Sequence, residues 1–219
     1  MMKNNKKLNI GISLRIVKAK NYEEKRDALS HDWPPLLEKI NSNIIFIPNN
    51  LVNVENFLND FNLDGIILSG GDNIGDDQER DKTENQILNF AIKYKIPLFG
   101  VCRGMQVINQ YFGGSIIKNN NSSHVGIPHV VNLIHKNIMS ILQINSLKVN
   151  SFHNNIITNS NLGKDIEPFA ITEHDKTVEG FFHKTLPIVG LMWHPERDSS
   201  YENQIIVKNI FSKKLFWNK

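Results

Sequence analysis

The segment Phe99-Gly100-Val101-Cys102-Arg103-Gly104-Met105-Gln106 sets the architecture. An apolar run over residues 96–101 ends in Gly-x-Cys-x-Gly, and Gln106, Val107, Asn109 and Gln110 continue as a helix. A strand that turns through glycines into a helix, with a nucleophilic side chain at the apex, is a nucleophile elbow. The glycines let the chain reverse tightly and keep Cβ atoms away from a residue held in a strained conformation. At the helix N-terminus, free N–H groups and the positive end of the dipole favour a thiolate, lowering the thiol pKa from about 8.5. The N–H of Arg103 points to where the oxygen of a carbonyl bonded to Cys102 would lie, which makes it an expected oxyanion donor.

Upstream of the elbow, short Ile- and Val-rich runs at residues 8–14, 44–48 and 65–69 read as buried strands. Between them, residues 33–40, 54–61 and 79–94 read as helices; Thr83, Ile87 and Phe90 or Ala91 give the last of these a partly apolar face. Strands alternating with helices predict a parallel sheet covered on its faces. Beyond Gly113 and Gly114, residues 115–117, 129–134, 147–151, 169–173, 178–182 and 188–193 read mostly as strands with short connections, and 204–216 as a closing helix. The tract 118–123 reads as a polar loop. No linker divides the halves, so residues 1–219 are expected to form one domain, with an ordered core of about 8–216.

A cysteine nucleophile needs a base held by a third group. Among the eight histidines, His194 ends an apolar strand in Met192-Trp193-His194-Pro195-Glu196. In an extended chain residues i and i+2 share a face, so Glu196 can accept a hydrogen bond from the His194 imidazole. Pro195 biases His194 toward the extended region. Cys102, His194 and Glu196 thus form the expected catalytic set, with His194 shuttling the proton and Glu196 fixing its tautomer.

Composition narrows the alternatives. The 219 residues carry 25 basic and 22 acidic side chains, a net charge of +3, with surplus lysines at the ends: Lys3, Lys6, Lys7, Lys213, Lys214 and Lys219. No basic stripe lies within the body, which argues against a nucleic-acid face. Cys102 is the single cysteine, so no intrachain disulfide can form and a reducing compartment is favoured. Asn9, Ser13 and Arg15 interrupt any leader-like apolar stretch, and no apolar run approaches the ~20 residues that span a bilayer. A soluble cytoplasmic protein is the expectation. His124 and His129 are spaced by four, but no carboxylate or cysteine completes a ligand set, so no metal is expected. Residues 70–75 are glycine-rich without a following Lys-Ser/Thr and do not form a P-loop. Trp33, Trp193 and Trp217 read as core or rim packing.

These residues resemble the class I glutamine amidotransferase-like family, whose hallmarks are the Gly-x-Cys-x-Gly elbow and a late His-Pro-Glu. The most similar branch is the cysteine hydrolases of γ-glutamyl amides, of which γ-glutamyl-GABA hydrolases are typical. Leu68-Ser69-Gly70-Gly71-Asp72 resembles the loop that supplies the other oxyanion donor, here Gly71. Val149-Asn150-Ser151-Phe152-His153 resembles the segment lining the glutamyl pocket, and Val178-Glu179-Gly180 lies in a third matching stretch. The resemblance runs from Gly11 to Glu196. It implies a flavodoxin-like α/β/α sandwich with a mostly parallel central sheet. It also implies substrate contacts from Gly70, Gln106 and the Ser151, Phe152 and His153 segment.

Arg103 after the nucleophile recurs in the hydrolase branch, whereas ammonia-delivering glutaminases often carry Leu or Tyr there. The compact form, with Arg26-Asp27-Ala28-Leu29 followed by Trp33, looks like members linked to surface-polysaccharide clusters. Those include hydrolases of γ-glutamyl-CDP-amidate in capsule modification. The implied reaction releases glutamate through a thioester, acts on a small-molecule γ-glutamyl amide and needs no cofactor. It involves neither nucleic acid nor membrane, and it leaves a homodimer or a transient partner enzyme open. A nucleotide diphosphate leaving group would need cations at the site mouth, for which Arg103, Arg26, Arg197 and the His124/His129 loop are candidates. His153 reads as pocket wall rather than second base, because no carboxylate follows at i+2. The alternatives are a glutaminase subunit handing ammonia to a synthase, a γ-glutamyl-GABA hydrolase of polyamine catabolism, and an idle binding protein on the same fold.

Overall fold

The computed structural model describes residues 6–118 and 125–217. His124, most of the tract 118–123, Lys3 and Lys219 therefore lie outside the described residues. Four apolar runs become parallel strands: β1 (Leu8–Ser13) and, after an antiparallel hairpin of β2 (Arg15–Lys18) and β3 (Lys25–Ala28) and helix α1 (Trp33–Lys39), β4 (Ser42–Ile47). Then follow α2 (Val54–Asn59), β5 (Gly65–Leu68), α3 (Gln78–Tyr94), β6 (Leu98–Val101) and α4 (Arg103–Tyr111). The central strands β5 and β6 are short and apolar because both of their faces are covered, whereas β4, at the sheet edge, leaves Asn43 and Phe46 exposed. Asn53 caps α2 by accepting from the N–H of Asn56, and Lys95, in the left-handed conformation, ends α3.

The second half of the chain is mainly strand. β7 (Ile117–Lys118) pairs with β10 (Asn155–Ile156), away from the main sheet. β8 (His129–Leu133), α5 (Lys136–Leu142), β9 (Ser146–Val149), β11 (Ile166–Thr172), β12 (Val178–His183), β13 (Ile188–Leu191) and α6 (Tyr201–Phe211) complete the order. The main sheet runs β4-β1-β5-β6-β13-β12-β11-β8-β9. Neighbours from β4 to β13 are parallel and those from β13 to β9 antiparallel, so five of the nine strands form the parallel part.

Two apolar layers flank the sheet. Trp33, Leu36, Ile138, Ile206 and Ile210 bring α1, α5 and α6 to one face, and Val54, Leu58, Ile87, Met105 and Ile108 bring α2, α3 and α4 to the other. The result is the expected α/β/α sandwich.

Three local expectations change. The closing helix spans Tyr201–Phe211 instead of 204–216. Ser200 starts it by accepting from the Asn203 N–H, and Lys213 adopts a left-handed conformation just past its end. Phe216 is thereby freed to stack on Phe182, with ring centroids 4.1 Å apart. The strand expected at 115–117 shrinks to β7, and the β2–β3 hairpin and α5 are elements that the sequence pattern does not announce.

Candidate active site

The site forms where the parallel strands end. β5 leads into Ser69–Asp72, β6 into Cys102, and β13 into His194, all at the carboxyl edge of the sheet, where open α/β sheets bind ligands. Cys102 sits between β6 and α4 with φ 50° and ψ −104°, a conformation L-residues rarely adopt. The flanking glycines are sterically required. A Cβ on Gly104 would lie 2.1 Å from the Leu68 carbonyl oxygen, and one on Gly100 would lie 2.6 Å from the Gly104 carbonyl. The strained turn and the close packing of the elbow on β5 thus depend on both.

His194 Nδ1 lies 2.7 Å from Glu196 Oε1, and both side chains are almost fully buried. That contact leaves Nε2 for the Cys102 thiol, to which His194 is hydrogen-bonded. Burial alone would lower the imidazole pKa, but the sulfur and the Glu196 carboxylate outweigh it and raise the value to about 9. Burial likewise opposes the thiolate. The hydrogen bond and charge of His194, the charge of His153 and the Arg103 backbone N–H together hold Cys102 below the usual thiol range. The same contact thus favours the charged form of both partners, thiolate on Cys102 and imidazolium on His194. Asn150 fixes the backbone beneath: its Oδ1 accepts from His194 N–H at 2.9 Å and its Nδ2 donates to His194 O at 2.8 Å.

The glycine loop meets the elbow at this point. A Cβ on Gly70 would lie 2.9 Å from His194 Cε1; Gly71 has φ +133°, and a Cβ there would strike Arg15 and Arg80. Gly71, Cys102, Gln106, Phe152, His153 and Asn155 line a cleft of about 340 Å³. Gln106 Oε1 accepts from Asn155 Nδ2 at 3.3 Å, which orients the amide. Ser151 does not reach the cleft surface. It is buried behind it, with its carbonyl accepting from Gly126 N–H at 2.8 Å, because the 149–153 segment turns its Phe152 and His153 side chains to the cavity.

Two buried charge networks flank the sulfur, and neither was anticipated. On the parallel side, Glu84 of α3 accepts from Ser13 Oγ at 2.9 Å and Arg80 Nε at 3.0 Å, and pairs with Arg103. Arg80 Nη2 donates to the carbonyls of Ser69 (2.8 Å) and Gly70 (3.1 Å), so the glycine loop hangs from this network. On the antiparallel side, Glu179 of β12 faces His129 of β8 at 3.5 Å and His153 at 3.6 Å. Burial would raise the Glu179 pKa, but the two histidines pull it down to about 2. Glu179 in turn outweighs burial at His153 and raises that imidazole.

These networks correct several expectations about cations at the mouth. The Arg103 guanidinium is 2% exposed and locked to Glu84 and Asp81, so it faces away from substrate; only its backbone N–H meets Cys102. Arg26 lies on the β2–β3 hairpin, ion-paired with Glu24 at 2.5 Å and stacked on Tyr22, and lines neither cavity beside Cys102 and His194. His129 points into the interior toward Glu179 rather than to the mouth. His153 does have a carboxylate, supplied across the sheet by Glu179 rather than at i+2. Arg197 is at the mouth, its guanidinium 4.3 Å from the Phe152 ring centre. Arg15, which no sequence motif singles out, is there too, paired with Asp72 at 2.7 Å. Of the tryptophans, Trp193 is fully buried and bonds Asn203, Trp33 packs in the core and borders the His194 cavity, and Trp217 donates to the His183 carbonyl.

A sheet of this order carrying a cysteine elbow and a His-x-Glu strand end defines an amidotransferase-type fold. Residues 29–214 match the model of the glutamine amidotransferase class-I family, and the chain belongs to that family. Over 215 residues it is 34% identical to the γ-glutamyl-CDP-amidate hydrolase of Campylobacter jejuni, covering 93% of this chain and 97% of that one. It is 32% identical over 148 residues to one of the subunits of the glutamine-hydrolysing GMP synthase of Thermoplasma acidophilum, covering 67% of this chain and 70% of that one. A solved structure from the same organism, provisionally assigned as a GMP synthase subunit, superposes with a TM-score of 0.70 at 25% identity over 94% of each chain. The fold is shared with a glutamine amidotransferase from Thermotoga maritima, with a TM-score of 0.61 at 15% identity over 95% of this chain and 88% of that one. Among the described residues, no helix is long and apolar enough to cross a membrane.

Proposed function

We propose that this protein is a cytoplasmic cysteine hydrolase that cleaves a γ-glutamyl amide C–N bond and releases L-glutamate, with γ-glutamyl-CDP-amidate of surface-polysaccharide biosynthesis as its substrate. The observation that carries the reading is the strained Cys102 at the β6–α4 turn, hydrogen-bonded to a His194 that Glu196 holds at 2.7 Å. The substrate assignment draws on the 34% identity to the Campylobacter hydrolase across almost both full chains.

The Cys102 thiolate attacks the γ-carbonyl, and the C–O π electrons move to oxygen. The backbone N–H groups of Arg103 and Gly71 receive that oxyanion. The His194 imidazolium gives its Nε2 proton to the departing nitrogen as the C–N bond breaks, leaving a glutamyl thioester. Neutral His194 then takes a proton from water. The hydroxide attacks the thioester, and the thiolate leaves to restore the ion pair. Glu196 keeps Nδ1 protonated throughout and stabilises the imidazolium. Gln106 and the Phe152–His153 wall hold the glutamyl end in the 340 Å³ cleft.

Glutamate release by the purified chain, with Cys102→Ala as blank, tests the proposal on γ-glutamyl-CDP-amidate, γ-glutamyl-GABA and glutamine. The expected result is Cys102-dependent release from the first, with kcat/KM of about 10⁴ M⁻¹s⁻¹ or above. Release mainly from γ-glutamyl-GABA would move the protein to polyamine catabolism. Weak release from glutamine alone, rising when a synthase is added, would make it an ammonia-delivering subunit.

A further inference from the structure

Two cavities meet at the reacting groups. Cys102, Gln106 and His153 line the larger one, and His194, Glu196, Ser30 and Arg197 line a narrower recess; Arg15 and Gly71 border both. The chemistry of the bond cleavage decides which part of the substrate occupies which. The departing nitrogen must come within hydrogen-bond reach of the imidazole that protonates it. The recess bordered by His194 is therefore the leaving-group side, and the Gln106 cleft is the glutamyl side.

Two guanidiniums stand at this recess, each anchored by one partner. Arg15 gives Nε (3.2 Å) and Nη2 (2.7 Å) to Asp72, while its Nη1 makes no hydrogen bond among the described residues. Arg197 lies over the Phe152 ring, and Phe152 meets the His194 ring edge-on at 5.8 Å. No carboxylate among the described residues pairs with Arg197. Three cations (Arg15, the His194 imidazolium and Arg197) thus face three anions (Asp72, Glu196 and the Cys102 thiolate of the proposed mechanism), so the recess offers a ligand the unused N–H donors of the two guanidiniums rather than a surplus of charge. Arg15 is 43% exposed, so a ligand can reach it. A planar fork held in place with spare donors suits the oxygens of a phosphoryl group, which it can bind through two parallel hydrogen bonds. A neutral leaving group such as ammonia would gain nothing from these cations.

We infer that Arg15 and Arg197 form a leaving-group subsite for a phosphoryl or diphosphoryl group borne on the amide nitrogen, and that they select this substrate class over γ-glutamyl amides with uncharged or singly carboxylated leaving groups. The inference rests on the γ-glutamyl hydrolase reading for its orientation.

The test compares wild type, Arg15→Gln and Arg197→Gln on γ-glutamyl-CDP-amidate, γ-glutamyl-GABA and γ-glutamyl methylamide. Calorimetric titration with CDP serves as a diphosphate probe, and the melting temperature checks the fold. Wild type should favour the diphosphoryl substrate. Each variant should lose about tenfold to a hundredfold in kcat/KM on it, the effect of removing a hydrogen bond to a charged group. The loss on the methylamide should be much smaller, so the preference ratio collapses, and the CDP Kd should rise in parallel. Equal losses on all three substrates, a wild-type preference for γ-glutamyl-GABA, or a CDP Kd indifferent to both arginines would overturn the subsite. Absence of Cys102-dependent release from every substrate would overturn the hydrolase reading instead. The titration would still decide the subsite: arginine-dependent CDP binding upholds it, and arginine-independent or absent binding sinks it.

Discussion

Glu84 and Glu179 are both fully buried carboxylates, each lies between two basic side chains, and the two approach Cys102 from opposite halves of the sheet. They differ in what balances them. Glu84 is held by two arginines, which stay protonated across the whole accessible pH range. It ties β1, the glycine loop, α3 and the elbow into one unit through Ser13, Arg80 and Arg103. Glu179 is held by two histidines, whose charge depends on pH, and its influence reaches the sulfur through His153. One network fixes where the two expected oxyanion donors sit, and the other tunes the charge around the Cys102 sulfur.

The largest expected effects fall on the groups that both networks flank. Cys102→Ala should abolish glutamate release, and His194→Ala should lower kcat by roughly 10³-fold or more, whereas Glu196→Gln should cost less because it orients the base without moving the proton. Single-turnover kinetics with a γ-glutamyl amide would rank the three, and a wild-type rate in His194→Ala would sink the assignment. Next comes Glu84→Gln, which leaves two buried guanidiniums short of a counter-charge. Denaturant unfolding should show a loss of about 3–5 kcal/mol, as for other broken buried ion pairs. The surviving folded fraction should lose kcat more than KM, since the glycine loop and the elbow are no longer tied together. A stability equal to wild type would break the contrast between the two networks.

Smaller effects separate the titratable side. A carboxyl whose pKa falls from 4.5 to about 2 on folding contributes stability that is present above the unfolded value and lost as pH drops through the folded one. Wild type should thus lose part of its stability between about pH 4.5 and 2, and Glu179→Gln should show a shallower acid limb in urea melts taken at each pH. His153 has the opposite sign. Its folded pKa is raised, so its contribution is present below the ordinary histidine range and is lost as pH climbs through the folded value. In activity, Glu179→Gln should lower the His153 pKa and with it move the Cys102 thiol pKa upward, read as a shift in the acid limb of iodoacetamide alkylation. For wild type, the kcat/KM profile should fall on its alkaline side near pH 9, where His194 loses the proton it must donate.

The chemistry-bearing centre was legible in the sequence because it is written in short-range signals. Gly-x-Cys-x-Gly after an apolar run and His-x-Glu at a strand end need no tertiary contact to be read, and the apolar runs of the parallel half announce buried strands. The β2–β3 hairpin escaped because Lys25, Arg26 and Asp27 are charged and exposed and show no alternation of apolar and polar positions. Helix α5 is only seven residues long and is started by the imidazole of His135, which accepts from Asn137 N–H in place of the usual Ser, Thr, Asp or Asn. The roles of Arg103, His153, Asn150 and Arg15 depend on partners from distant elements. A signal did exist for the two networks. Arg80 and Glu84 sit at i and i+4 on the apolar side of α3, and Glu179 stands in a fully buried strand whose other residues before His183 are Val, Gly and Phe. A charge in such a position is rarely buried without a partner, so its presence announces one without saying which.

Catalysis of the proposed kind requires Cys102 to carry the glutamyl group, and intact-protein mass spectrometry after acid quenching tests that most directly. Mixed with γ-glutamyl-CDP-amidate and quenched within the first turnover, wild type should show a glutamyl adduct that maps to Cys102 and disappears as free glutamate accumulates, with no adduct on Cys102→Ala. Glutamate release without any adduct on Cys102, or at an equal rate from Cys102→Ala, would contradict it.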